Sequence, residues 1–138
     1  MKKLENFHNC LQILRDADFS HAGEDEIYRT GVVGQFQLTF ELAWKALQEM
    51  LREHSVLGAE TGSPREILKM AYKTGWICDA DEWLLMQKKR NLSVHLYNEE
   101  EIDRLVVLIR DRFIPAFEAL ERTLKKLEEE AKEDRWDG

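Results

Sequence analysis

Between Ile102 and Leu127 apolar residues return every three or four positions, at Ile102, Leu105, Val106, Ile109, Phe113, Ala116, Phe117, Leu120, Leu124 and Leu127. That spacing keeps one face of an α-helix apolar over many turns, and such a face must be buried against other elements. Nowhere does the chain alternate apolar and polar residues long enough to argue for a strand. Only seven Gly and two Pro punctuate 138 residues, which suits long helices and not the frequent turns of an all-β fold. One of the two prolines, Pro115, falls inside the long stripe. Its ring removes a backbone hydrogen bond, so a kink near Asp111 is expected, not a helix end.

Further helices follow from the same spacing. Leu4, Phe7, Leu11 and Leu14 form a narrow stripe on a first helix that ends near Asp16–Ser20. A second should start around Glu24, where Asp25 and Glu26 favour a helix N-terminus, and run to about Arg52. Val33, Phe36, Phe40, Ala43, Leu47, Met50 and Leu51 share its main face, with Trp44 at the border. Leu38 and Leu42 lie about 200° and 240° round from Phe36. They mark either a second helix neighbour or a surface for a protein partner. Gly31 and Gly34, in GVVG, have neither a preceding strand nor a following Lys-Ser/Thr, so they are read as a close helix approach and not a phosphate loop.

Three start signals divide the second half. In SPRE, Ser63 caps, Pro64 occupies the first turn and Glu66 closes a capping box, on a helix that stops at Gly75. In DADE, Asp79 caps and Glu82 stands at the third position, with Trp83 placed to staple against Cys78. In NEEE, Asn98 caps and Glu101 closes the box. Short connections between long amphipathic helices imply antiparallel neighbours. The expected fold is all-α, an antiparallel up-and-down four-helix bundle with one additional short helix. One domain should cover residues 1–130, followed by a charged tail at 131–138.

The composition excludes several classes. With 43% hydrophobic and 34% charged residues the chain is too apolar for disorder. The longest uncharged run, Thr30–Phe40, is far short of the roughly 20 apolar residues that cross a bilayer. Glu5, Asn6, His8 and Asn9 interrupt any signal-peptide core, so the cytoplasm is the expected location and no membrane partner is expected. Cys10 and Cys78 stand alone and are expected to be buried or partly buried thiols. No pair among His8, His21, His54 and His95 has metal-ligand spacing, so neither a metal nor another cofactor is expected.

The formal charge of −7 is uneven. From Thr61 to Tyr97 six basic residues face four acidic ones, which makes that segment +2 and the rest −9. Extended binding to DNA or other nucleic acid, which needs many phosphate contacts, is disfavoured, whereas a small basic site on an acidic body is compatible with this balance. KKR at Lys88–Arg90 is equally well read as a helix end whose cations suit the C-terminal dipole.

The segment QKKRNLSVHLYNEEE, Gln87–Glu101, joins two helices with residues unusual for a turn. Each has a local structural reading: Asn91 as a helix C-cap, His95 bonded to a carbonyl, Tyr97 stapled against Ile102. Together they suggest chemistry. A permanently charged Arg90 near a His95 that titrates around neutrality can hold a phosphate and move a proton, and Tyr97 adds a hydroxyl.

R-N-L-S-V-H-L-Y fits the R-x4-H-x-Y motif of the HEPN superfamily, especially its HepT-like members. F-E-L-A-W-K at Phe40–Lys45, S-P-R-E at Ser63–Glu66, D-E-W-L-L-M at Asp81–Met86 and R-N-L-S-V-H-L-Y-N at Arg90–Asn98 resemble the nucleotidyltransferase substrate-binding proteins within it. The likeness spans about residues 4–120. G-Q-F-Q at Gly34–Gln37 departs from it, with Gly and Gln where more charge is expected.

The resemblance implies a HEPN-like bundle that forms a homodimer and pairs with a separate minimal nucleotidyltransferase subunit, in a two-component, toxin-antitoxin-like system. An alternative function is implied too, a HepT-type metal-independent endoribonuclease toxin with Arg90 and His95 catalytic, silenced by AMP transfer to Tyr97. Asn91, Tyr97, Lys88, Lys89 and Trp44 are the expected substrate- or partner-binding residues. RNA or a nucleotide is the expected occupant of the Arg90/His95 cleft, where a dimer would bring two KKRN segments together.

Overall fold

The computed structural model describes residues 1–91 and 98–137, with side chains through residue 134. The described residues form a helical bundle. Its elements are α1 (Lys2–Arg15), α2 (Phe19–Ala22), α3 (Glu26–Glu53), α4 (Pro64–Thr74), α5 (Ala80–Asn91), α6 (Glu99–Leu108), a π turn (Ile109–Phe113) and α7 (Ile114–Asp137). α3 touches every other helix. Its central position explains why Val32, Thr39 and Ala46 are buried beside the expected core stripe. A helix with neighbours on several sides needs a wide apolar face.

The core is aromatic. Phe36 stacks on Phe113 with ring centroids 5.2 Å apart. Phe117 takes the edge of Trp83 at 5.6 Å and of Phe7 at 6.1 Å. Trp83 also lies against Phe40, so α5 is pinned between α3 and α7. The expected Trp83–Cys78 staple is thus replaced: Trp83 faces the core, and Cys78 is exposed instead of buried. Cys10 is half-buried, and burial pushes its thiol up despite a hydrogen bond from Gln35.

The caps follow the sequence signals. The side chains of Asp25, Ser63, Asp79 and Asn98 accept from the backbone N–H of Tyr28, Glu66, Glu82 and Glu101. Gly75 ends α4 with φ at 87°, a left-handed conformation that favours glycine. Glu82 does not close a capping box; it is buried, and its carboxylate takes a two-pronged bond from Arg112 in the π turn.

α2 is an element that the sequence pattern missed. Asp18 caps this single turn, accepting from the N–H groups of Ser20 and His21. The Pro115 interruption takes the form of a π turn centred on Asp111, in which the Ile114 N–H donates to the carbonyl of Ile109. The widened turn keeps its own first and last residues, Ile109 and Phe113, fully buried. α7 then continues as helix to Asp137, through the charged segment read as a tail.

The glycine expectation fails. A Cβ placed on Gly31 or on Gly34 would meet nothing within 4 Å, so no neighbouring helix demands a glycine at either place. Both are exposed on the face of α3 that also carries Ile27 and Leu38, which are 86% and 48% exposed. Leu42 packs partly against the core, so of the two off-stripe leucines only Leu38 is left to solvent. Among the described residues no helix is long and apolar enough to cross a membrane.

Candidate functional site

Arg90 sits in the last turn of α5, two turns beyond the buried Trp83 that anchors the helix. The anchor fixes which way Arg90 faces. Its side chain turns toward α3, where Nη2 lies 3.3 Å from Oε2 of Glu41. The Gln37 side-chain amide donates to the backbone carbonyl of Arg90 at 3.4 Å. Gln37 belongs to the Gly34–Gln37 segment, where more charge is expected, and its amide holds the end of α5.

Glu41 is the hub. Its Oε2 also accepts from Trp44 Nε1 at 3.1 Å, and its Oε1 lies 3.4 Å from Lys45 Nζ. Partial burial raises the Glu41 carboxyl, but the Trp44 hydrogen bond and the charges of Lys45 and Arg90 outweigh it and hold the group below its usual range. Glu41 is therefore an anion at neutral pH, and it orients a guanidinium that stays 38% exposed. A guanidinium has five N–H donors, so engaging one carboxylate oxygen leaves others for a phosphate.

The structure brings Arg90 and Trp44 together through Glu41, whose role the sequence reading missed. A signal was present: Gln37, Glu41, Trp44 and Lys45 recur at three- and four-residue spacing and so share one side of α3. Lys88 and Asn91 look elsewhere. Both are exposed and line a groove with Arg65 on the outer side of α5. Lys89 is half-buried. His95 and Tyr97 lie outside the described residues, as does the Tyr97–Ile102 contact. Among the described residues no group of three His, Cys, Asp or Glu side chains gathers to hold a metal.

The profile of a family described as "Nucleotidyltransferase substrate binding protein like" matches residues 2–126. The chain belongs to that family. A solved structure from Haemophilus influenzae, described as having the fold of a substrate binding domain of a nucleotidyltransferase, superposes with a TM-score of 0.76 at 20% identity. The superposition covers 88% of this chain and 98% of that one, so the shared fold takes in nearly the whole bundle. A protein of Haemophilus influenzae named "Probable ribonuclease HepT" is 26% identical over 94 residues. That match covers 67% of this chain and 64% of the relative's length. Within the family frame, the Gln37–Lys45 side of α3 and Arg90 at the end of α5 are where the two helices supply charged and hydrogen-bonding groups together.

Proposed function

We propose that this chain is the substrate-binding subunit of a two-component system and works with a separate minimal nucleotidyltransferase. The observation that carries the reading is the Arg90–Glu41–Trp44 arrangement, in which a half-exposed cation is held at the end of α5 where the R-x4-H-x-Y motif begins. Such a cation, fixed by a buried-edge carboxylate, suits the phosphates of a nucleotide or of a nucleotide-bearing partner. The chain acts as a homodimer, and its two KKRN segments supply a local basic cleft on an acidic protein. Its place of action is the cytoplasm, and the pair forms a toxin-antitoxin-like unit. The test is to mix the chain with a minimal nucleotidyltransferase from the same genome and ATP. A stable complex, or added AMP mass on Tyr97, is expected; neither would overturn the reading.

A second reading is favoured by the complete motif: a metal-independent endoribonuclease in which Arg90 steadies the charge building on a phosphate and His95 moves the proton. AMP on Tyr97 would then block the cleft. Expression without the partner should arrest growth, and His95→Ala should relieve it. Equal toxicity of parent and variant would remove His95 from catalysis.

A further inference from the structure

The Lys and Arg side chains that lack an acidic partner among the described residues are unevenly placed. Arg104, Arg122 and Lys126 are spread along α6 and α7, whereas Arg65, Lys69, Lys73 and Lys88 gather on the outer face of α4 and α5. Free cations so close together repel one another in an otherwise acidic chain, and an anion would relieve that repulsion.

Two adjoining hollows lie between them. The first, about 170 Å³, has an apolar floor of Leu68, Ala80 and Leu84, with Tyr72 on its side and Lys69 and Lys73 at its rim. Tyr72 is 51% exposed, too open to be a core residue. The second, about 490 Å³, shares Leu84 and carries Arg65, Lys88, Gln87 and Asn91, with Asp81 the one acid on its lining. Arg65, Lys69 and Lys73 follow each other at four-residue steps along α4, about 6 Å of helix rise per step. That is close to the interval between successive phosphates of an extended strand.

We propose that the α4–α5 face is a docking track for a short single-stranded polynucleotide. Its phosphates lie along Arg65, Lys69, Lys73 and Lys88, and one base enters the apolar hollow against Tyr72. Cations tracking the backbone beside an aromatic platform are the two elements of sequence-tolerant single-strand binding. An acidic protein segment would satisfy the cations but would leave the apolar, tyrosine-sided hollow unused. The track runs along α5 toward Arg90, and it requires neither strand cleavage nor a nucleotidyltransferase partner.

Fluorescence anisotropy on the full chain, with labelled oligouridylate and oligoadenylate hexamers, tests the track. Binding is expected with a log–log salt slope of about −3, the value for about four phosphates neutralised on a single strand. Lys69→Glu/Lys73→Glu should weaken binding about tenfold or more, and Tyr72→Ala by about tenfold. Arg122→Glu/Lys126→Glu, which removes free cations outside the track, should leave affinity within about twofold. Each substituted side chain is exposed, and circular dichroism is the check that the variants remain helical; the salt slope of the unmodified chain gives an answer independent of any variant. No binding by the unmodified chain, equal weakening by the α7 pair, or duplex binding as tight as single strand would overturn the proposal. Competition by polyglutamate as effective as by the oligonucleotide would overturn it in favour of an acidic protein segment. Loss of complex formation with the nucleotidyltransferase, by contrast, would leave it standing.

Discussion

Arg90 and Trp44 share a single oxygen, Oε2 of Glu41, at 3.3 and 3.1 Å. One residue belongs to the Arg-Asn motif on α5 and the other to the F-E-L-A-W-K block on α3, and the carboxylate between them ties the two blocks into one structural unit.

Glu41→Gln should therefore loosen Arg90 without unfolding the chain. The lost charge pairing is partly screened by solvent around Arg90 and Lys45, so the cost should be about 1 kcal/mol, or about 3 °C in melting temperature. Because the folded Glu41 carboxyl is held below its unfolded value, its contribution is present above the unfolded value of about 4.3 and is lost as pH falls through the folded one. Melting curves of parent and variant should thus differ at pH 7 and converge only as pH falls below the unfolded value and through the lowered, folded one. A gap that persists in acid would assign the effect to packing and not to charge.

Gly31→Ala and Gly34→Ala should each stabilise the isolated chain by about 0.5–1 kcal/mol. Both sites are helical, and an added Cβ meets nothing, so alanine only restricts the unfolded chain. Urea midpoints are the measurement. Destabilisation by either substitution would show that a contact forms on this face in solution.

The bundle was legible because periodicity and caps are local properties. Ser63, Asp79 and Asn98 announced their helices correctly, and the long stripe ending at Leu127 fell where the core needed it. What escaped was tertiary. The sequence shows an acid at Glu82 in a capping position, but only packing reveals Arg112 across from it. Gly31 and Gly34 look like a helix crossing, because sequence cannot say whether a neighbour is present. Arg90 was singled out by its motif, while Glu41 needed the α3–α5 pairing to become visible. α2 is only one turn, too short for periodicity to register.

Pro115→Ala tests how the π turn accommodates proline. A proline inside a regular helix costs about 3 kcal/mol. Here the Ile114 N–H already reaches back to Ile109, so the widened turn takes up the missing bond just ahead of the ring. Restoring an N–H should change stability by less than about 1 kcal/mol in urea unfolding. A gain near the full helix penalty would mean that the π turn gives no relief.

Leu38 supplies the sharpest test of a partner surface on α3. Its side chain is 48% exposed, on the same side as Ile27 and the two glycines, while Leu42 is partly packed. Substituting Leu38 with Asp removes no core contact and should move unfolding by less than about 0.5 kcal/mol, as for other surface changes. If the nucleotidyltransferase subunit covers this face, the same charge must be desolvated in the complex, and binding should weaken by at least about tenfold. Size-exclusion chromatography and calorimetry of the mixed subunits read the effect. Undiminished binding would move the partner to another face of the bundle, and the α5 end with Arg90 would be the next surface to charge-reverse.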